Sequence, residues 1–223
     1  MQDPAFVHQA FSEIADRYVA TNHILSLGID MLWRRRVAAL VAADQPWRVL
    51  DVATGSGDLA EAIGRACPAA RVTGSDFCEP MLEYARRRGI DDLVVADALA
   101  MPFADGEFDA LTVAFGLRNM ASWDGALREM RRVLRPGGLL AVLDFSLPEG
   151  PLRGAYRFYL HHVLPKIAGF VTRRRGAYEY LSNSIEEFPS GRAMCQLIAR
   201  SGFADPRHLP LTGGIASIYL ARA

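Results

Sequence analysis

Arg48–Ala60, RVLDVATGSGDLA, is the stretch that decides how this chain folds. Val49, Leu50 and Val52 form a short apolar run of the kind that makes a buried strand. Asp51 sits just before a loop in which Gly55 and Gly57 let the backbone turn tightly and approach a ligand without intervening side chains. Asp58 then opens a helix, where a carboxylate suits the positive end of the helix dipole. The expected unit is strand, glycine loop, helix.

The letters of the loop admit two ligand chemistries. Gly55 to Ala60 fits the glycine pattern of dinucleotide sites. A pyrophosphate, however, wants a helix start without negative charge, and Asp58 stands there. A ligand with positive groups and no phosphate fits better, and S-adenosylmethionine carries a sulfonium and an ammonium. Asp51 would then face its amino-acid end. Asp76 closes the second strand, Arg71 to Ser75, about twenty residues beyond the loop, where nucleoside-binding sheets place the acid that takes ribose hydroxyls. A carboxylate can accept two hydrogen bonds from a vicinal diol. Met81, early in the next helix (Glu79 to about Arg88), could cover the adenine or pack in the core. Asp97, after a third strand at Leu93 to Ala96, suits the adenine amino group, with a solvated loop acid as the competing reading.

Composition bounds the rest. A chain of 223 residues, 51% of them hydrophobic, suits one α/β domain with small additions. A net charge of zero argues against a general nucleic-acid binder. Cys67, Cys78 and Cys195 are scattered and lack metal-ligand spacing, so no metal is expected and a reducing, cytoplasmic setting is the natural reading. No apolar run is long enough to span a bilayer, so a lipid substrate would have to be met from the inner membrane face.

Taken in order, the chain predicts a helix over residues 5–19, with Val7, Phe11, Ile14 and Tyr18 on one face. A polar turn leads to a second helix from about Asp30 to Ala43, with Trp33, Val37, Leu40 and Val41 inward. Strands and helices then alternate, which implies a parallel sheet with helices on both faces. A fourth strand is expected at Ala110 to Phe115, a helix at Asp124 to Leu134, a turn at Pro136-Gly137-Gly138 and a fifth strand at Leu139 to Leu143. The segments Phe115 to Asn119 and Asp144 to Ser146 follow strand ends and should face the site. Residues 151–182 are apolar and aromatic, then basic at Arg173 to Arg175. They read either as a greasy entrance with a basic rim or as a helical hairpin with a solvated turn. A helix near Ser190 to Ser201 and strands near Arg207 and at Ile215 to Leu220 would close the sheet with an antiparallel edge hairpin.

The glycine loop, Asp76 and Pro136-Gly137-Gly138 resemble the seven-stranded, Rossmann-like class I S-adenosylmethionine-dependent methyltransferases, although Ala53 stands where that pattern usually has glycine. Arg17-Tyr18 through Trp33-Arg34, then Thr112 to Asn119, then Tyr178 to Leu181 with Ser184-Ile185 and Phe188-Pro189, are similar to the ubiquinone and menaquinone biosynthesis C-methyltransferases. Val19 departs from that family, which often has aspartate there. The resemblance implies C-methylation of a polyprenylated quinol ring. The expected cofactor contacts are Asp51, Ala53, Thr54, Gly55, Gly57, Asp76, Phe77, Met81, Asp97, Ala98 and Phe115.

A quinol ring carbon attacks a sulfonium methyl in line once the ring has lost a phenolic proton. The site must therefore stabilise an oxyanion and align the reacting atoms. Arg118 suits the first task because its charge is permanent. Asn119 could orient a water or the ring hydroxyl, and Tyr18 could hydrogen-bond a ring oxygen. His161 and His162 could serve as bases, but adjacent histidines on a helix point different ways. The expected organisation is one methyltransferase domain: a helical lid over 1–45, a cofactor core over 46–150, a substrate-side insertion over 151–189, and a final helix and edge strands over 190–223. Expected partners are the quinol lipid and a membrane surface, without nucleic acid, and with a homodimer left open. A methyltransferase for the O, N or C of another small apolar molecule, a nicotinamide oxidoreductase and a non-catalytic quinone-binding subunit share parts of the pattern.

Overall fold

The computed structural model describes residues 28–150, 152–163 and 184–223. The helix expected over 5–19 with Tyr18, the basic turn at 173–175 and the stretch 178–181 lie outside the described residues. The chain enters through α1 (Ile29–Ala43), β1 (Arg48–Val52), α2 (Asp58–Ala66), β2 (Arg71–Asp76), α3 (Glu79–Arg87) and β3 (Leu93–Val95). It continues through β4 (Phe108–Ala114), a 3-10 turn (Leu117–Asn119), α4 (Trp123–Val133) and β5 (Leu134–Phe145). Next come α5 (Leu152–Phe158), a π turn (Tyr159–Val163), α6 (Arg192–Arg200), β6 (Ala204–Leu211) and β7 (Ala216–Arg222).

The seven strands form one sheet in the order β3-β2-β1-β4-β5-β7-β6. The first five are parallel, and β7 runs antiparallel to both β5 and β6. This is the expected doubly wound α/β sheet with an antiparallel edge. Alternation along the strands builds two cores. Leu50, Leu111, Leu140 and Val142 face α4 and α6 through Leu127, Met130, Met194 and Ile198. Val49, Ala110, Ala141 and Leu143 face α1 and α2 through Trp33, Val37, Val41, Leu59 and Ile63. Val37 and Val41 are fully buried, so α1 is a layer helix of the domain, fixed against the sheet.

One local expectation changes. Pro136-Gly137-Gly138 lies inside β5 and does not precede it. Leu134 pairs with Phe108 and Leu139 with Ala110, so the segment is a bulge that offsets the two strands. A Cβ on Gly138 would stand 2.9 Å from the Arg135 carbonyl and 3.0 Å from that of Asp109, a close approach that only glycine permits. The bulge also holds the chain's end, because Gly137 N–H donates to the Ala223 carbonyl and Ala223 N–H to that of Gly138. At the far edge, β6 carries Pro206 and Pro210. Proline is tolerated on an edge strand because it removes a donor that an outer row does not need, and it discourages edge-to-edge pairing.

Consecutive strands wind outward in opposite directions from β1 and β4. At such a reversal the flanking helices diverge and leave a crevice at the carboxyl ends of the two strands. That crevice is where Asp51, the glycine loop and Phe115 meet.

Candidate active site

The β1–β4 register builds the floor of the crevice. Asp51 pairs in register with Thr112, so both side chains emerge on the α1 face of the sheet. Thr112 Oγ1 donates to Asp51 Oδ1 at 2.6 Å, and Thr54 Oγ1 donates to Oδ2 at 2.7 Å. Burial nevertheless pushes the Asp51 carboxyl up to about 6, against these bonds and the pull of the Arg34 charge. Asp76, at the end of β2, accepts the Gly55 N–H on Oδ2 and the Cys78 N–H on Oδ1, both at 2.9 Å. Burial raises its pKa as well. The Asp76 carboxylate thus braces the glycine loop.

The loop itself carries strain. Ala53 has a left-handed backbone, φ +51°, although it bears a side chain. Its methyl occupies the space beside Gly116, where an added Cβ would come within 2.5 Å of it. The departure from glycine at Ala53 is therefore accommodated by a glycine opposite. Met81 lies against the loop, its methyl 3.4 Å from where a Cβ on Gly55 would stand. Phe77 is partly exposed and Ala98 half-buried. Asp97 is exposed and caps the Leu99 N–H at 2.9 Å.

Phe115 is the second strained residue, at φ +60°. Such a backbone is an outlier for a bulky side chain, and something must hold it. The residues that follow do so. Arg118 Nη1 donates to the Phe115 carbonyl at 2.8 Å, and Asn119 Nδ2 to the same oxygen at 3.3 Å. Arg118 is anchored in turn by Asp144, with Nη1 2.6 Å from Oδ1, and both side chains are buried. Burial raises the Asp144 carboxyl, and the Arg118 guanidinium opposes that rise. The Phe115 ring meets Phe145 at 4.7 Å and Trp33 at 6.3 Å, with the Arg34 guanidinium 5.0 Å from its centre.

A wall of aromatic residues continues this surface. Leu160 and Ile185 pack with Phe145, Leu147, Tyr156 and Tyr159. Burial pushes the Tyr156 phenol up, while the Arg118 charge works in the opposite direction. His161 Nε2 lies 3.0 Å from Glu186 Oε1. His162 stacks on Phe158 at 4.7 Å, so the two histidines do point different ways.

One argument from sequence needs correction. Asp58 is not a bare charge at the start of α2, because its carboxylate accepts from Ser56 Oγ and from Arg88, each at 2.5 Å. A phosphate is disfavoured for another reason. Thr54 N–H donates to the Ser75 carbonyl, Gly57 N–H to that of Thr54, and Gly55 N–H to Asp76. A phosphate cradle needs such donors turned toward the ligand, and here they close the loop on itself. The buried carboxylates of Asp51 and Asp76 suit an ammonium and a ribose diol, so the residues present fit S-adenosylmethionine. Sequence reasoning gave no role to Thr112, or to Arg34, which lies over Phe115 on the Asp51 side. It had placed Asp144 near the site without its partner.

The fold and this donor set define a methyltransferase of the Rossmann-like class. A solved S-adenosylmethionine-dependent methyltransferase from Thermotoga maritima, described as a possible histamine N-methyltransferase, shares the fold. It has a TM-score of 0.61 at 17% identity, over 95% of this chain and 97% of that one. The model of the ubiE/COQ5 methyltransferase family matches residues 1–222. The demethylmenaquinone methyltransferase of Thermus thermophilus is 47% identical over 94% of this chain and 98% of its own. The ubiquinone/menaquinone biosynthesis C-methyltransferase UbiE of a Geobacter species is 43% identical over 96% and 94%. The chain belongs to the ubiE/COQ5 methyltransferase family, and it is an S-adenosylmethionine-dependent C-methyltransferase.

Two expectations follow from the site. Asp51 has its folded pKa raised from 3.8 to about 6. Its protonated form is therefore favoured in the ligand-free protein, and the stability it contributes is full below pH 3.8 and lost as pH rises through about 6. A cationic ligand needs the ionised form, so S-adenosylmethionine affinity should run the other way, climbing by up to about tenfold per pH unit between about pH 4 and 6 and then levelling. Titration calorimetry across that range checks it. Second, Gly116→Ala should weaken cofactor binding by forcing its methyl onto that of Ala53. Adding Ala53→Gly should restore binding, which the same calorimetry would show as a non-additive pair.

Proposed function

We propose that the chain methylates a ring carbon of a polyprenylated quinol: demethylmenaquinol, the matching benzoquinol of ubiquinone synthesis, or both. One observation carries the reading. The buried Arg118–Asp144 pair stands between the glycine-loop crevice and the aromatic wall of Phe145, Tyr156 and Tyr159. Burial pushes the Tyr156 phenol up, and the Arg118 charge works against that rise. A phenolic ring lodged in the same wall feels the same field, and its oxyanion is the species that pushes electron density onto the ortho carbon.

S-adenosylmethionine, when bound, supplies an electrophilic methyl group. The residues of this chain do the rest. Asp51, Asp76 and the loop from Ala53 to Gly57 hold the donor, with Phe77, Met81, Asp97 and Ala98 along its nucleoside side. Phe115, fixed by its left-handed backbone, forms the boundary between donor and ring. Arg118 stabilises the ring oxyanion and Asn119 orients the acceptor side; Tyr18, outside the described residues, is the further residue assigned to a ring oxygen. The phenolic proton leaves to water, and after attack the hydrogen on the methylated ring carbon leaves as a proton that returns to the ring oxygen, restoring the aromatic ring; a permanently charged arginine is a poor base for either transfer.

The lipid tail of such a substrate must leave the site toward a membrane. Supporting a peripheral contact, Leu152 and Phe158 of α5 are 58% and 61% exposed, beside Arg153 and Arg157. No helix among the described residues is long and apolar enough to cross a membrane. In this reading residues 1–45 and 151–189 frame the substrate side of one catalytic domain.

The test is incubation with methyl-labelled S-adenosylmethionine and each prenylated quinol, followed by analysis of the ring. Label on a ring carbon of at least one quinol is expected, and its absence from both would overturn the substrate reading. For Arg118, replacement by alanine is a poor probe, because it strands the Asp144 charge in the interior at about 3–5 kcal/mol. Arg118→Lys keeps the charge and loses the planar fork. It should lower kcat by about a hundredfold while leaving the calorimetric affinity for S-adenosylmethionine within about threefold.

A further inference from the structure

Arg34 is a half-buried cation for which the mechanism above has no use. It projects from α1 on the side of the sheet that carries Asp51. Its guanidinium lies over the Phe115 ring, and its charge lowers the Asp51 pKa. Nε and Nη1 are fully enclosed and have no hydrogen-bond partner among the described residues. Its nearest carboxylate contact among them is Asp30, with Nη2 3.9 Å from Oδ2, which is an ion pair beyond hydrogen-bond length. An enclosed donor without a partner is costly to a folded protein, more so when it belongs to a charged group. Such a donor calls for an explanation, and a ligand that completes it is one.

The other arginines around the crevice are committed. Arg118 is held by Asp144 and the Phe115 carbonyl. Arg88 is held by Asp58 and Glu61. Meanwhile the floor of the crevice is acidic, through Asp51 and Asp76. That floor suits the ammonium of an α-amino acid and repels its carboxylate. A zwitterionic ligand end needs a cation beside Asp51, and among the described residues Arg34 stands there. It is also preorganised: α1 is locked to the sheet by Val37 and Val41, and Phe115 is locked by Arg118 and Asn119.

We infer that Arg34 receives the carboxylate of the methionyl end of S-adenosylmethionine, so that Asp51 and Arg34 together read the zwitterion. The inference deepens the cofactor assignment and rests on it. It makes the cofactor site selective for an intact amino-acid end, with the Phe115 ring as the platform on which the guanidinium is stacked.

The experiment is titration calorimetry of the full chain with S-adenosylmethionine and with its decarboxylated analogue, which keeps sulfonium, amine and nucleoside. The unaltered protein should prefer the carboxylated ligand by about 10- to 100-fold, the range of charge-assisted hydrogen bonds in an enclosed site. Arg34→Met keeps the apolar contact with Phe115 and should bring the two ligands within about threefold of each other, by weakening S-adenosylmethionine alone. Arg34→Lys should fall between and carries the test should the methionine variant not fold. Equal affinity of the unaltered protein for both ligands, or an undiminished preference in a folded Arg34 variant, would overturn the inference and leave the cofactor assignment standing. Binding of neither ligand by the unaltered protein would remove the cofactor assignment itself, and the inference with it.

Discussion

The ion pair of Arg118 with Asp144 is the constraint on which the site depends. It joins the end of β5 to the turn after β4, two segments that leave the sheet as neighbours. A buried pair of this kind adds little net stability, since desolvation offsets attraction, but breaking one half is costly. Its effect here is conformational. By placing Arg118 Nη1 on the Phe115 carbonyl, it holds Phe115 in a backbone conformation that a bulky residue otherwise avoids.

Much of the site follows from that held residue. Strand alternation puts Ala110 and Thr112 of β4 on the α1 face and Leu111 and Val113 on the other. Continued by one regular step past Ala114, Phe115 would join Leu111 and Val113. The left-handed turn swings it back to meet Trp33, Phe145 and the Arg34 guanidinium instead. The ring thereby lies near the carboxylate at the end of β1 and the aromatic wall beyond β5. The strain at Ala53 has a related outcome, because its methyl and Gly116 share one small space and so couple the glycine loop to the segment after β4. The glycine loop and the segment after β4 are thus tied together through two strained residues.

Electrostatically the crevice is divided. The β1–β2 side offers buried carboxylates raised by burial, ready to be offset by positive groups of a ligand. The β4–β5 side offers a buried guanidinium, paired with Asp144, whose charge works against the rise that burial imposes on the Tyr156 phenol. On the function proposed above, the cationic donor would meet the carboxylates and the ring oxyanion would meet the guanidinium.

The amino-acid sequence by itself determined the elements that depend on local pattern. These are the strand–loop–helix at Arg48 to Ala60, Asp76 at the end of β2, the alternation of strands and helices, and the antiparallel edge. Each is set by apolar periodicity or by glycine within a few residues, so no distant partner is needed to read it. The tertiary structure alone decided which charges are compensated. Thr112 reaches Asp51 across 61 residues, Arg118 reaches Asp144 across 26, and Arg88 reaches Asp58 across 30. It also turned the Pro136 segment from a turn ahead of β5 into a bulge within it, because the β4 register fixes where β5 must begin. Such pairings follow from strand order and register, which are cooperative properties of the whole sheet, and no single stretch of residues encodes them.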